Sequence, residues 1–481
     1  MTRPRIALAI ALAALAAIAY ALASVGASVA SPTPRLTNWP EFGLNPARSD
    51  ATDDATGITA ANVGHLHHRV IELPGTVDSS PVYLHGVTVG GASHDVAFVT
   101  TDYGITLAID AGSGRILWRF SPPGLSSWAG SAQITTASPI VDPGHRYIYA
   151  TSPNGLIHKL SIATGREQPG WPVKITPTPQ REKLTASLNI SGGELLATTG
   201  GYIGDIPPYV GHIVGISLAS GRIEHVFNTL CANRHTIIVP SSCSASDSAI
   251  LSRSGPVVEP GGRRVLIATG NAPYNGTTDF GDSLIELTLP GLRLRQVYTP
   301  TDQATLNTSD LDLGSGSPAL LPDGLAWIAG KDGIQRVLDL AALDGSPPGT
   351  RAHTGGEVQT LPTPGGGQQI FTAPAVWHDF VFVADGGGTA AYTVSGRRMH
   401  EAWQNSTPGT SPILAGGLLY VYNPGGSLVV YRPTSGRVIA TYTVASGHWN
   451  SPIVVDGHII VPTGDDNAHL TSGSLEIFSA G

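Results

Sequence analysis

The chain has 481 residues, of which 59 are Gly and 37 are Pro, while only 13% are charged. So much turn chemistry with so little charge excludes a helical bundle, a coiled coil and a charged disordered chain, and the 41% hydrophobic share is enough for a core. A net charge of −8 without a Lys/Arg stripe gives no means of neutralising phosphates, which argues against nucleic acid as a partner.

The chain opens like an export signal. Arg3 and Arg5 precede an apolar run from Ile6 to Ala23, and small residues follow, with Ala21 to Ala23 and Ser28-Val29-Ala30 as cleavage-like patterns before Ser31. The run also reaches the lower length limit of a spanning helix, so residues 1–30 read as a signal peptide or an N-terminal membrane anchor. No Cys follows it to carry a lipid. Membrane contact is expected only through this segment if it stays uncleaved, and the rest of the chain is expected to be extracytoplasmic, secreted or periplasmic. Residues 31–64 read as a lead-in and 65–481 as one folded domain.

From there the chain repeats one phrase: a small residue and Pro, a short apolar strand, a turn, a β-branched or aromatic strand, and a third strand ending near Gly, often before Trp. The starts are Ser80-Pro81, Ser138-Pro139, Gly255-Pro256, Ser317-Pro318, Ala373-Pro374, Ser411-Pro412 and Ser451-Pro452. The gap between Ser138 and Gly255 is twice the usual one, and Ser187-Leu188 with Leu195 to Thr199 supplies a copy there without the Pro, making eight units. Second strands such as Tyr147 to Thr151 and Leu418 to Tyr422 have the residues of a half-buried sheet, and Trp118, Trp171 and Trp403 fall where a fourth strand is expected. The pattern predicts an all-β fold, an eight-bladed β-propeller of four-stranded antiparallel blades. The eighth unit, Ser451 to Phe478, has only three strands, so the strand His68 to Leu73 is expected to complete it and remove an exposed edge.

Cys231 and Cys243 are the only cysteines, which suits an exported chain with one disulfide. Closing a loop of that size contributes roughly 3 kcal/mol in the chain-entropy model. A redox pair would want the Cys-x-x-Cys spacing, which is absent.

The phrase Ala108-Ile109-Asp110-Ala111-Gly112-Ser113-Gly114 with Leu117-Trp118 resembles the repeat of the quinoprotein alcohol dehydrogenases and their non-catalytic relatives, and Asn38-Trp39-Pro40 with Thr56-Gly57-Ile58-Thr59 resembles that family's lead-in. The resemblance runs from about Trp39 to the end. It implies pyrroloquinoline quinone (PQQ) and Ca²⁺ at the channel mouth, a carboxylate base and an alcohol or sugar as substrate. Carried over position by position, it makes Asn271, in Thr269-Gly270-Asn271-Ala272-Pro273, the match for a calcium ligand. Asp310, in Asp310-Leu311-Asp312, matches the catalytic and metal-binding carboxylate. Lys331, ahead of Asp332-Gly333, matches the basic residue on the quinone oxygens.

This sequence departs from the family in three places. The stretch Gly200 to Gly215 offers Asp205 and His212 but not the family's calcium-binding Glu. There is no adjacent cysteine pair and no Cys-x-x-Cys-His for haem. The alternative is therefore a binding or assembly propeller like the outer-membrane assembly relatives, with a protein partner at its rim. Other singled-out residues have plainer readings. Asp282 reads as a hairpin carboxylate, although it could assist at the mouth. His65, His67 and His68 read as partly exposed strand residues, and the runs Gly365 to Gly367 and Gly386 to Gly388 as turns.

Overall fold

Each repeat start is followed by a sheet that zigzags away from the channel, its four strands hydrogen-bonded in chain order. The computed structural model describes residues 35–480, and the expected signal or anchor, residues 1–30, lies outside them. Blade 1 is Val82–Val89, Ala92–Thr100, Thr106–Asp110 and Ile116–Phe120, with Asn38–Trp39 as a short fifth strand. Blade 3, the unit without Pro, is Asn189–Ser191, Glu194–Thr198, His212–Ser217 and Ile223–Asn228. Blades 4 and 5 begin at Val257–Val258 and Ala319–Leu321, and blades 6 and 7 at Ala375–Trp377 and Ile413–Ala415. In blade 8, Ile453–Val455, His458–Thr463 and Gly473–Ser479 are completed by His67–Leu73, which pairs residue by residue from His67 with Ser479 to Leu73 with Gly473. The eight-bladed wheel and its N-terminal closure are as the repeat predicts. No helix among the described residues is long and apolar enough to cross a membrane.

Because side chains alternate between sheet faces, each blade offers one apolar face to each neighbour. Val82, Leu84 and Phe98 of blade 1 pack with Ile148 and Leu160 of blade 2 (Ile140–Val141, Tyr147–Ser152, Leu156–Ser161 and Val173–Lys174), and Leu196, Ile213 and Phe227 of blade 3 pack with Val265 and Ile267 of blade 4. The core is thus a ring of inter-blade layers.

Two repeated devices stitch these layers, and they explain the repeat's spelling. At the start of each unit, small hydroxyl residues bond across the gap. Ser80 N donates to Ser138 Oγ at 2.8 Å, Ser254 N to Ser317 Oγ at 3.1 Å and Ala373 N to Ser411 Oγ at 3.0 Å. Ser187 Oγ donates to Arg253 O, Thr410 Oγ1 to Asn450 O, and Ser451 N to Ser79 O, carrying the chain of bonds round to blade 1. Further out, the fourth-strand Trp of one blade lies on the turn glycine of the next. A Cβ on Gly165 would stand 2.7 Å from the Trp118 ring, and one on Gly436 2.7 Å from Trp403. Both glycines also have positive φ, which a side chain disfavours. The indole N–H groups donate to Ile162 O at 2.8 Å and Pro433 O at 2.7 Å.

The lead-in has a role that the sequence did not suggest. It runs under the far ends of the first strands: Val141 N donates to Pro40 O, Val258 N to Pro46 O, Val376 N to Ser49 O, Leu414 N to Asp50 O and Asp456 N to Leu36 O. The backbone N–H groups there would otherwise face the channel unpaired. Buried Arg48 ties this floor together, bonding Glu41 at 2.8 Å and Leu188 O at 2.5 Å. One mouth of the channel is therefore closed, and the residues that precede the first strands line the other.

Candidate functional site

The position two residues before each repeat start lies beside the channel at the open mouth. In chain order it holds Asp78, Thr136, Thr185, Arg253, Ser315, Phe371, Gly409 and Trp449. Thr185, Arg253, Ser315, Phe371 and Trp449 line one cavity of about 200 Å³, and Phe371, Gly409 and Trp449 line a neighbouring cleft. Asp78 joins the ring by accepting from Arg253, and Thr136 by donating to Thr185 O.

The three residues singled out by motif meet at this mouth. Asp310 and Asp312 follow a short helix, α1 (Gln303–Thr308), and Lys331 follows the second strand of blade 5. Lys331 Nζ lies 2.8 Å from Asp310 Oδ1 and 2.5 Å from Asp312 Oδ2. Asn271 Nδ2 donates to the same Asp310 Oδ1 at 3.0 Å, and Asn271 N donates to Asp312 Oδ1 at 2.8 Å. Burial pulls the Lys331 ammonium down, but the Asp312 and Asp310 carboxylates outweigh it and hold its pKa above the ordinary value. Asp310 is 74% exposed and faces the cavity beside Lys331. Asn271 Oδ1 is buried and has no hydrogen-bond partner among the described residues.

The stretch Gly200 to Gly215 brings one carboxylate to the cavity. Asp205 lines the cavity, accepting from Tyr209 Oη at 2.8 Å, and burial raises its pKa. Glu182, paired with Gly201, is consumed by Thr176 and by Val210 N. His212 is buried between Thr199 and Ile175 O, away from the mouth.

Sequence reasoning missed the deep side of the cavity. Arg253 Nη1 donates to Asp78 O at 2.6 Å, and its guanidinium lies 4.9 Å from the Trp449 ring centroid. Trp449 also stacks on Phe371 at 4.5 Å and on His448 at 3.7 Å. His448 Nδ1 lies 2.7 Å from Asp78 and 3.1 Å from Asp466, and Lys183 Nζ lies 3.2 Å from Asp466. Burial alone would lower the His448 pKa, but the two carboxylates raise it to about 9. Nearby Asp102 is pushed well above the carboxylate range by burial. Lys183, Arg253 and Lys331 therefore bring three cations to one cavity, with an aromatic stack beside them. The signal that would have found Arg253, Phe371 and Trp449 was the offset from the repeat start.

The remaining sequence readings fall elsewhere. Cys231 and Cys243 form a disulfide with Cα atoms 6.1 Å apart, in a loop over blades 3 and 4. His68 pairs with Glu476 at 2.7 Å and stacks on Phe478. Gly365 to Gly367 all have positive φ in a tight turn. Asp282 lies, as read, in the turn joining two paired strands of blade 4, but it has no exposed surface: it sits under the Asp310–Asp312 loop, where burial pushes its pKa to about 8.

A family model described as outer membrane protein assembly factor BamB matches residues 51–227 and 305–463. No curated protein sequence matches the chain. Among solved structures, the chain is similar to the quinohemoprotein alcohol dehydrogenase from Comamonas testosteroni, with 15% identity, TM-score 0.68 and coverage of 94% of this chain and 81% of that one. It is also similar to a europium-containing methanol dehydrogenase, with 13% identity, TM-score 0.68 and coverage of 92% and 98%. BamB from Moraxella catarrhalis aligns with 14% identity, TM-score 0.54 and coverage of 86% and 100%. At such identities these likenesses speak to the fold.

Proposed function

We propose that this chain, which belongs to the PQQ-repeat β-propeller family whose matching model is described as outer membrane protein assembly factor BamB, is an exported dehydrogenase that oxidises an alcohol or sugar at the open channel mouth. The observation that carries the reading is the meeting of a carboxylate, an ammonium and an orphaned amide oxygen: Asp310 and Lys331 line a cavity with two further cations, and Asn271 bonds Asp310 from behind it.

The residues suit an anionic planar quinone with a hard cation. Lys183, Arg253 and Lys331 would meet the carboxylates and quinone oxygens of PQQ, and Asn271 Oδ1 with Asp310 would face Ca²⁺. PQQ, when bound, would supply the hydride acceptor. Asp310 is the base. Its Oδ1 is fixed by Lys331 and Asn271, while its exposed side chain is open to the hydroxyl proton of an alcohol. The Cys231–Cys243 disulfide and the signal-like N-terminus support an extracytoplasmic site of action.

A second reading, a non-catalytic binding or assembly propeller, is favoured by one observation. Lys331 is already satisfied by two carboxylates. Reconstitution separates the two. Purified protein is mixed with micromolar PQQ and Ca²⁺ and followed by cofactor absorbance and by dye reduction with a panel of alcohols and sugars. Uptake and turnover that vanish in Asp310→Ala and Lys331→Ala are the expected result. No uptake by the unmodified protein overturns the dehydrogenase reading in favour of the scaffold.

A further inference from the structure

Asp282 lies where the segments carrying all three motif residues converge. Its Oδ1 accepts from Leu313 N at 3.2 Å, immediately after Asp312. Its Oδ2 accepts from Gln303 Nε2 at 3.3 Å, in the first turn of α1, which leads into Asp310. The same Gln303 amide donates to Ala272 O at 2.7 Å, next to Asn271. The backbone N–H of Asp282 donates to Gly270 O at 2.9 Å, on the other side of Asn271. One carboxyl thus holds the Asp310–Asp312 loop from both ends and the Asn271 turn through Gln303. The loop in turn fixes blade 5, since Lys331 N donates to Asp312 O at 3.0 Å.

The packing leaves no slack. A Cβ on Gly270 would run into the Asp312 carboxylate, and one on Gly314 would meet Thr269 C at 2.5 Å. A carboxyl with no exposed surface, outside the cavity lining, cannot touch a ligand. Such a group acts through the residues that it orients.

We infer that Asp282 is a positioning residue, a buried clamp that holds Asp310, Asp312 and Asn271 in register for ligand binding at the open mouth. The ligand half of this statement rests on the PQQ reading above, whereas the clamp itself does not. The clamp rests on two acceptor contacts, in a site where burial pushes the Asp282 carboxyl up to about 8. Asn keeps the acceptor toward Leu313 and loses the one toward Gln303, whereas Leu keeps the approximate volume and neither contact.

The test compares Asp282→Asn, Asp282→Leu and Gln303→Leu in the full chain, with two readouts. In hydrogen exchange without added cofactor, peptides covering residues 306–316 are expected to exchange at least tenfold faster in Asp282→Leu, which loses both contacts, and about threefold faster in Asp282→Asn and Gln303→Leu, which lose only the contact between residues 282 and 303, with blades 1, 2 and 7 unchanged. In PQQ/Ca²⁺ titration, Asp282→Leu is expected to weaken binding at least tenfold and Asp282→Asn by less than threefold. Unchanged exchange in both Leu variants overturns the clamp, and equal loss in Asp282→Asn and Asp282→Leu overturns the role given to the Leu313 contact. If Asp282→Leu does not fold, Gln303→Leu decides from the helix side. If the unmodified protein takes up no PQQ, the dehydrogenase reading fails while the exchange result still decides the clamp.

Discussion

Two rings of residues, two positions apart in the repeat, behave in opposite ways. At the repeat start the residue is nearly always the same kind, Ser in five units with a Pro and Gly or Ala in the other two, and there or at the residue before it the chain bonds to an adjoining blade. Two residues earlier, no such rule holds: an acid, two threonines, an arginine, a serine, an aromatic pair and a glycine occupy equivalent places. The stitching ring is uniform because every blade must meet its neighbour at the same angle. The channel ring is free to differ because most of its side chains line a shared cavity rather than a seam between blades. In a repeat protein, sameness therefore marks structure and difference marks the site.

The comparison can be broken or sharpened by substitution in each ring. The largest effect is expected at Arg253. Arg253→Ala leaves buried Asp78 with His448 alone of its two cations, which is expected to cost about 3 kcal/mol in urea denaturation and to abolish PQQ uptake. Next comes His448, whose folded pKa of about 9 lies above its ordinary 6.5. A raised pKa gives stability that is complete below pH 6.5 and is lost as the pH rises through 9, by on the order of 3 kcal/mol. His448→Gln should flatten the stability profile between those values in thermal melts. On the stitching side, Gly436→Ala forces a side chain into positive φ and against Trp403 and is expected to cost about 2 kcal/mol, without changing ligand affinity in titration. Ser411→Ala removes one cross-blade acceptor, costs about 1 kcal/mol and is also silent in binding. A stitching variant that altered affinity, or an Arg253 variant that altered stability alone, would erase the distinction.

The wheel was legible because its signals are periodic. Even the Pro-less third unit and the borrowed strand His67–Leu73 follow from counting, since a missing strand in one place must be matched by a spare one in another. The site was legible only where a local motif marks it, at Asn271, Asp310 and Lys331. Lys183, Arg253 and Trp449 escaped notice because nothing local distinguishes a channel-facing arginine from a surface one. Their burial comes from residues more than a hundred positions away. The turn at Gly281-Asp282 was legible, but its burial was not, because only the loop folded over it from blade 5 makes it a core residue. The lead-in gave no periodic signal because its successive contacts fall on different blades, Pro40 on Val141, Pro46 on Val258, Ser49 on Val376 and Asp50 on Leu414.

The closing strand has a consequence for how the molecule comes into being. His68 is paired with Glu476, 408 positions later, so one of the first segments to emerge waits for one of the last. Until then blade 8 has an open edge. Such extreme contact order slows folding and exposes unfinished sheet to other chains. Were the chain exported unfolded, in line with the proposal above, that delay would be harmless, since the wheel would be assembled only after both of its ends had reached the same side.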